Sequence, residues 1–147
     1  MRLAVVGAGA VGRSVVELAG EHGHDVVAVA DSSSAIVADE ADSGGVDTEA
    51  VVTRKAAAGI VGDDDPADAL TADYDVLVEA TPTTLGDAEP GFSHVRTALE
   101  RDRHVVLANK GPVAERYGDL QALVADSAGD LRFEATVGGA IPAVSTV

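Results

Sequence analysis

Three glycines with the spacing G-x-G-x-x-G constrain the fold of this chain more than any other feature of its sequence. Gly7, Gly9 and Gly12 come after an apolar run at residues 3–6, which predicts a buried strand. The apolar residues after them recur at helical spacing over residues 10–22, which predicts a helix. Gly7 permits a tight turn, Gly9 lacks the Cβ that would block a pyrophosphate, and Gly12 lets helix and strand pack closely. The same glycines can also serve packing alone, so their interpretation depends on the residues after them.

An acidic residue at the end of the next predicted strand supports phosphate binding at the glycine turn. Asp25–Ala30 predicts a strand that ends at Asp31, 19 positions after Gly12. At this spacing in a dinucleotide-binding turn, the carboxylate accepts hydrogen bonds from the adenosine ribose. It would also repel a 2′-phosphate, and residues 32–45 contain no Arg or Lys, so NAD is favoured while NADP stays open. Asp31 can instead serve only as a strand-end cap, and Ser32 could add a second ribose or adenine contact.

The first turn of the predicted helix provides the remaining cofactor contacts. Its N–H groups have no intrahelical partner, and the helix dipole places partial positive charge there. Ala10 and Val11 lie in this turn. We expect them to contact a pyrophosphate together with the three glycines.

Predicted strands and helices alternate along the rest of the chain. The strands are apolar and rich in valine, which is typical of parallel strands covered on both faces. Further helices are predicted at residues 47–58, 92–101 and 113–127, further strands at 59–62 (very short), 76–80, 104–107 and 131–135, and loops at 32–45 and 63–73, the second with a helical turn. The alternation predicts an α/β fold, a Rossmann-type doubly wound parallel sheet with helices on both faces. Residues 1–147 would form one dinucleotide-binding domain.

The end of the strand at residues 76–80 carries two further candidates for cofactor binding. Thr81 and Pro82 come directly after this strand, and ligands bind open α/β sheets at the carboxyl ends of the strands. Thr81 is predicted to approach the nicotinamide ribose while Pro82 holds the turn. The segment can also be a simple strand-ending turn.

Lys110 is the candidate catalytic residue. It comes after the predicted strand His104–Leu107 and is one of only two lysines in the chain. An ammonium group at a strand end can contact the cofactor, bind a substrate carboxylate or polarise a carbonyl as a hydride arrives. The alternative is a surface lysine at the start of a helix.

A cation site is the weakest of the candidates. Glu134 ends the last predicted strand beside a glycine-rich turn, and a buried carboxylate near free carbonyls could bind a cation. The four histidines show no metal-ligand spacing. The acidic run at residues 63–65 is interpreted as a solvated loop rather than a metal site.

The charge and composition exclude several classes of protein. With 25 acidic and 10 basic residues the formal charge is −15, which argues against nucleic acid or an anionic membrane as a partner. No apolar run is long enough to cross a membrane, and the absence of cysteine excludes disulfides and thiolate metal sites. Scattered acids and scarce lysines resemble proteins of salt-loving archaea, so the charge is interpreted as an adaptation to a salty cytoplasm, with an acidic binding face as the alternative. We expect a soluble cytoplasmic domain that binds small molecules.

Taken together, four of these segments resemble homoserine dehydrogenase, and the resemblance covers essentially the whole chain. It rests on the glycine turn, on E-A-T-P-T at residues 79–83, on L-A-N-K-G-P-V-A at 107–114 and on F-E-A-T-V-G-G-A-I-P at 133–142. It implies a domain that binds NAD(P), with a second domain that dimerises and carries most substrate-binding and catalytic residues. It also implies NAD(P)H-dependent reduction of L-aspartate 4-semialdehyde to L-homoserine, in threonine and methionine biosynthesis.

The resemblance also implies a monovalent-cation site, for example for Na⁺, built largely from main-chain carbonyls. Its ligands would be Glu134, Val137, Gly139 and Ile141. Ala140 departs from the family, which often has a third glycine there, and adds a Cβ beside the turn.

By the same resemblance, Lys110 matches an active-site lysine of the nucleotide-binding domain, and Thr81 matches a cofactor contact. The acid, the aspartate and the second lysine expected of the substrate domain would lie beyond residue 147. We therefore interpret the chain as an N-terminal piece that binds the dinucleotide without turnover, and expect the full-length enzyme to be a homodimer through the other domain. The alternative is a stand-alone NAD-binding or redox-sensing module without catalysis.

Overall fold

The computed structural model describes residues 1–39 and 44–136. The strands in this part of the chain are β1 (Arg2–Val6), β2 (Asp25–Ala30), β3 (Ala35–Val37), β4 (Val76–Glu79), β5 (His104–Leu107) and β6 (Leu131–Arg132). The helices are α1 (Ala10–Ala19), α2 (Thr48–Ala58), α3 (Pro66–Thr71), α4 (Gly91–Glu100), α5 (Gly111–Glu115) and α6 (Tyr117–Ala125), with 3₁₀ turns at Gly20–His22 and Glu134–Thr136. None of the helices in the described ranges is long and apolar enough to cross a membrane.

All six strands belong to one sheet with the order β3-β2-β1-β4-β5-β6. β1 pairs in parallel with β2 and β4, and β5 pairs in parallel with β4 and β6. The strand order changes direction between β1 and β4, and ligands of open α/β sheets bind at such a switch point. The predicted Rossmann-type doubly wound α/β fold is confirmed, with one antiparallel strand at its edge.

Helices cover both faces of this sheet. On one face α1 and α2 bury Val16 and Val51 against valines of the strands. On the other face α3, α4 and α6 bury Ala69, Leu99 and Leu120. Each fully buried Val or Leu side chain stabilises the fold by roughly 1.5–3 kcal/mol. The two layers fix the strands, and the strands in turn fix the loops at their carboxyl ends.

β3 lies within a segment that the sequence predicts as a loop. It runs antiparallel to β2, because the N–H of Asp31 donates to the carbonyl of Ser34 over 2.9 Å and so reverses the chain. The strand predicted within residues 59–62 is wrong, since β3 occupies this edge of the sheet. Val61 is instead buried, and its N–H donates to Ser34 Oγ over 2.9 Å.

Helix boundaries agree with the predictions at some positions and differ at others. α1 and its 3₁₀ extension end at Gly23, which has a φ of 71° and closes the last turn. The helix predicted at residues 113–127 consists of α5 and α6, separated at Arg116, whose φ and ψ of −130° and 28° are not helical. The turn predicted within residues 63–73 is α3, which begins after the N-cap Asp65.

Candidate dinucleotide-binding site

The carboxyl ends of four strands meet at one edge of the sheet. Gly7, after β1, donates its N–H to the carbonyl of Ala30 in β2 over 2.8 Å. Ala80, after β4, donates its N–H to β1 over 2.7 Å. Ala108, after β5, donates its N–H to the carbonyl of Glu79 over 2.9 Å. The segments that carry most of the predicted site residues are therefore neighbours along a single crevice.

The three glycines of the first turn meet different requirements. Gly7 has a φ of 105°, and a Cβ added there would lie 2.4 Å from the main chain of Ala80. A Cβ on Gly12 would lie 1.8 Å from the carbonyl oxygen of Gly7. Gly9, in contrast, has no heavy atom within 4 Å of such a Cβ. Packing therefore requires Gly7 and Gly12, whereas the space above Gly9 is open to a ligand.

The N-terminus of α1 faces this open space. Gly9 is the N-cap and provides no side-chain hydrogen bond, and the first turn contains no acidic residue. Gly9, Ala10 and Val11 are exposed. Uncapped N–H groups and the positive end of the helix dipole favour an anion at this position. The residues present thus fit the pyrophosphate of a dinucleotide.

Asp31 lies at the end of β2 with its side chain only 9% exposed. Its Oδ1 accepts hydrogen bonds from the N–H groups of Ser33 and Ser34, each over 2.8 Å, and its Oδ2 accepts one from Lys55 Nζ over 2.7 Å. Burial raises the pKa of Asp31, but the bonds from Lys55, Ser33 and Ser34 outweigh burial and lower this pKa to about 2. The carboxylate is therefore charged and held in one orientation. Ser32 is exposed beside it.

Lys55 is the functional candidate that the sequence alone misses. Residues 32–45 contain no Arg or Lys, but α2 places Lys55, which lies farther along the chain, beside Asp31. Lys55 Nζ also donates to the carbonyl of Gly59 over 2.7 Å. The feature of the sequence that could have indicated Lys55 is the scarcity of lysine, since Lys55 and Lys110 are the chain's only lysines.

Thr81 and Pro82 lie beside the glycine turn, at the end of β4. Thr81 is half-buried, and both its N–H and its hydroxyl point to the carboxylate of Glu79. Pro82 is exposed. The hydroxyl of Thr81 is therefore directed into the protein rather than into the crevice.

Lys110 lies at the end of the neighbouring strand, as the N-cap residue of α5. Its main-chain N–H donates to Thr83 Oγ1 over 3.2 Å, which ties it to the loop after β4. The side chain is exposed, and the ion pairs within residues 1–39 and 44–136 do not include it. Its ammonium group is thus available to a negatively charged or carbonyl-containing molecule in the crevice.

The structure describes only one of the four predicted cation ligands. Glu134 is exposed and begins a 3₁₀ turn, so the expectation of a buried carboxylate at the end of a strand over residues 131–135 is wrong. The other ligands lie outside the described residues: Val137, Gly139 and Ile141. Within the described part of the chain, no three His, Asp or Glu side chains are grouped as a metal site would require.

Comparison with known proteins identifies the family of this chain. A family model described as homoserine dehydrogenase, NAD binding domain, matches residues 7–134. The chain belongs to the homoserine dehydrogenase family. It corresponds to the NAD-binding domain of these enzymes, which confirms the resemblance inferred from the sequence.

Homoserine dehydrogenases from archaea align with nearly the whole chain. The enzyme from Methanocaldococcus jannaschii is 29% identical over 162 residues, which cover 99% of this chain and 47% of the relative. The structure of a putative homoserine dehydrogenase from Archaeoglobus fulgidus matches 95% of this chain with 33% identity and a TM-score of 0.79, and 43% of that protein is covered. The enzyme from Thermoplasma acidophilum matches 99% with 27% identity and a TM-score of 0.86, with 46% of that chain covered. This chain spans less than half the length of these relatives.

Proposed function

We propose that this chain binds NAD in preference to NADP. We also propose that the whole protein catalyses the NAD(P)H-dependent reduction of L-aspartate 4-semialdehyde to L-homoserine, a step of threonine and methionine biosynthesis. The observation that carries the proposal is the uncapped N-terminus of α1, which faces the open space above Gly9 while Asp31 is held, charged, at the next strand end. Family membership favours this function over a stand-alone redox-sensing module.

Each part of the crevice suits a different part of the dinucleotide. The N–H groups of Ala10 and Val11 would donate to the pyrophosphate. Asp31 and Ser32 would accept and donate hydrogen bonds at the adenosine ribose. Thr81 and Pro82 would border the nicotinamide ribose from the loop after β4. Bound in this way, the nicotinamide would supply the hydride for reduction of an aldehyde.

Lys110 is proposed to act on the substrate. Its exposed ammonium group lies at the carboxyl end of β5 and can attract the carboxylate of an amino-acid substrate or polarise the aldehyde oxygen. The same charge can contact the cofactor. The other substrate-binding residues and the dimer interface are proposed to belong to the length of the relatives that this chain does not span.

The choice between NAD and NADP is the first test. Relatives differ in this respect, since one from Pseudomonas canavaninivorans is named NAD(+)-dependent and a hyperthermophilic archaeal one forms a complex with NADPH. The charge of Lys55 is already engaged by Asp31 and the carbonyl of Gly59, so we expect NADH to bind more tightly than NADPH. Calorimetric titration of both cofactors measures this preference, and Asp31→Asn is the matched variant that should reduce it. Tighter binding of NADPH would overturn the role given to Asp31.

Turnover is the second test. We expect the 147-residue chain to show no oxidation of NADH that depends on the aldehyde, because the proton donor and most substrate contacts are assigned to the rest of the protein. Absorbance in the near ultraviolet, where NADH but not NAD absorbs, measures it with and without L-aspartate 4-semialdehyde. An appreciable rate would show that this chain is sufficient for catalysis.

The monovalent-cation site is proposed from the family resemblance, with Glu134 and main-chain carbonyls as ligands. NADH affinity in NaCl and in choline chloride at equal ionic strength tests it, with Glu134→Ala as the variant. A cation site predicts tighter binding in NaCl for the wild type and no difference for the variant. Equal affinities of the wild type in both salts would contradict the proposal.

A further inference from the structure

Glu79 is a fully buried carboxylate for which the proposed function gives no role. It is 0% exposed and is the last residue of β4, paired with Val6 of β1 and Leu107 of β5. A buried carboxylate is costly unless hydrogen bonds compensate its lost hydration. Within the described residues its Oε1 has hydrogen-bond partners and its Oε2 has none, so the contacts of Oε1 indicate what this carboxylate does at the base of the crevice.

The carboxylate of Glu79 is hydrogen-bonded to Thr81. Glu79 Oε1 accepts a hydrogen bond from the N–H of Thr81 over 3.2 Å and another from its hydroxyl, and lies 3.5 Å from His94 Nδ1 on α4. A hydroxyl has one proton to donate, and that of Thr81 goes to Glu79. Thr81 therefore meets the crevice with its main chain and methyl group, in a position set by Glu79.

Asn109 extends this contact to the loop that carries Lys110. The side chain of Asn109 is 1% exposed, and its Nδ2 donates to Thr81 Oγ1 over 3.1 Å and to the carbonyl of Pro82 over 3.4 Å. Its Oδ1 accepts from the N–H of Gly111 over 2.9 Å. The loops after β4 and β5 are thus joined through Asn109, and its partner Thr81 is in turn hydrogen-bonded to the carboxylate of Glu79.

The packing leaves little freedom in this cluster. A Cβ on Gly91, the first residue of α4, would lie 2.4 Å from Asn109 Nδ2 and 3.3 Å from Glu79 Oε2. A Cβ on Gly111 would lie 2.2 Å from the carbonyl of Thr84. Gly91 and Gly111 thus allow α4 and α5 to pack closely against Glu79 and Asn109. Because the packing is close, we expect a substitution of Glu79 to displace Thr81 and Asn109.

We propose that Glu79 is a positioning residue for the nicotinamide half of the crevice, which acts through Thr81 and, by way of Asn109, on the loop of Lys110. The inference rests on the proposed function, because it assumes that the loops after β4 and β5 border the nicotinamide. The adenosine half, at Asp31, is built from other strand ends and does not depend on Glu79.

Two ligands separate the halves of the crevice. NADH occupies both halves, whereas ADP has the same adenosine and pyrophosphate but lacks the nicotinamide and its ribose. Glu79→Met should raise the Kd of NADH about tenfold, the loss expected when a hydrogen bond that positions a contact is removed, and leave the Kd of ADP unchanged within about twofold. Glu79→Gln should retain NADH binding, because its amide oxygen can still accept from Thr81.

Thr81→Val is the second variant and keeps the test valid if the change at the buried position prevents folding. It should weaken NADH binding as Glu79→Met does, whereas Thr81→Ser should retain most of the affinity, because it keeps the hydroxyl and loses only the methyl group. The double variant Glu79→Met/Thr81→Val should bind NADH no more weakly than either single variant, since both act through the same contact. Tyr74→Phe removes the partly buried hydrogen bond from its hydroxyl to the carbonyl of Leu70, near the opposite ends of the strands, and should affect the binding of neither ligand.

The outcomes distinguish this inference from the proposed function. If the wild type binds neither ligand, the proposed function fails and the role of Glu79 fails with it. If the wild type binds both ligands but Glu79→Met weakens them equally, or leaves NADH binding unchanged, only the positioning role is overturned. Equal affinity of the wild type for NADH and ADP would overturn the positioning role too.

Discussion

At the scale of single residues, Asp31 and Lys55 form a charged pair at the end of β2. Burial alone would raise the pKa of Asp31, but its hydrogen bonds lower this pKa from 3.8 to about 2. Because the pKa is lower in the folded chain than in the unfolded chain, the charged form stabilises the fold fully above the unfolded value. This stabilisation is lost as the pH falls through the folded value.

Asp31→Asn should lower the free energy of unfolding at neutral pH by roughly 1 kcal/mol, since water screens the pair and the amide oxygen still accepts main-chain bonds. The difference between wild type and variant should shrink as the pH falls from about 4 to about 2. Urea titrations monitored by circular dichroism at several pH values measure this difference. If the difference in unfolding free energy between wild type and variant did not change with pH, the stabilising role of the charged Asp31 would be contradicted. Asp25→Asn, at an exposed acid at the start of β2, is the control and should have little effect at any pH.

Asp31 could be predicted from the sequence, whereas Lys55 and Glu79 could not. The position of Asp31 is set by local pattern, an acid at a strand end at a fixed distance from the glycines. Lys55 reaches it from 24 residues farther along, through the packing of α2 against α1, which no local pattern encodes. Glu79 lies in a segment whose strand end was predicted, but its burial depends on α4 and on the small residue Gly91.

At the scale of elements, the turn between β1 and α1 contains one glycine that the fold requires, Gly12, and one that we expect only cofactor binding to require, Gly9. Gly12→Ala should lower the free energy of unfolding by about 1–3 kcal/mol, because its Cβ collides with the carbonyl of Gly7 and nothing flexible can move aside. Gly9→Ala should leave the stability unchanged, because its Cβ meets no protein atom. It should nevertheless raise the Kd of NADH about tenfold, since the methyl group enters the space of the pyrophosphate.

Thermal unfolding and NADH titration of the two variants measure these effects. The opposite pattern, a destabilised Gly9→Ala that binds NADH normally, would show that both glycines serve packing alone. Gly118→Ala provides the matched control, since its Cβ also meets open space but lies on α6, away from the crevice. Gly118→Ala should not destabilise the fold by more than a few tenths of a kcal/mol, because alanine is favoured over glycine in a helix. It should leave the NADH affinity unchanged.

Two elements show what periodicity alone cannot detect. The apolar spacing after Pro112 fits one helix, and no proline interrupts it, yet the helix is broken at Arg116. The guanidinium of Arg116 lies over the ring of Phe92 on α4, 4.0 Å from its centroid, which is a tertiary contact. β3 is short and comes after a run of serines, so its pairing with β2 becomes evident only once the turn from Asp31 is formed.

At the scale of the whole molecule, the order of elements was enough to predict the sheet and the place of its crevice. Parallel strands joined by right-handed crossovers bring their carboxyl ends to one edge, so residues predicted separately had to become neighbours. What could not be predicted is how the crevice is supported from beneath, because Glu79, His94 and Asn109 come from three different parts of the chain. Their side chains meet only after the two layers of helices have packed.

The charge of −15 is also a property of the whole molecule. Because of where the acids lie, their mutual repulsion destabilises the fold at low salt. Three exposed acids lie at the carboxyl ends of helices, where the helix dipole disfavours negative charge: Glu100 on α4, Glu115 on α5 and Asp126 after α6. Repulsion among exposed charges is screened over about 10 Å at 0.1 M salt and about 3 Å at 1 M. The fold should therefore be stabilised by salt.

Raising KCl from about 0.1 to 2 M should raise the Tm of the chain by about 5 °C, since screening removes repulsion that the compact state suffers more than the unfolded chain. The triple variant Glu100→Gln/Glu115→Gln/Asp126→Asn should melt at a higher temperature than the wild type at low salt. It should also gain less from KCl, because three of the repulsive charges are gone. Thermal unfolding of both proteins across a KCl series measures the two slopes. Equal slopes would mean that KCl acts through apolar hydration instead, and a Tm that falls with KCl would mean that the ion pairs outweigh the excess of acids.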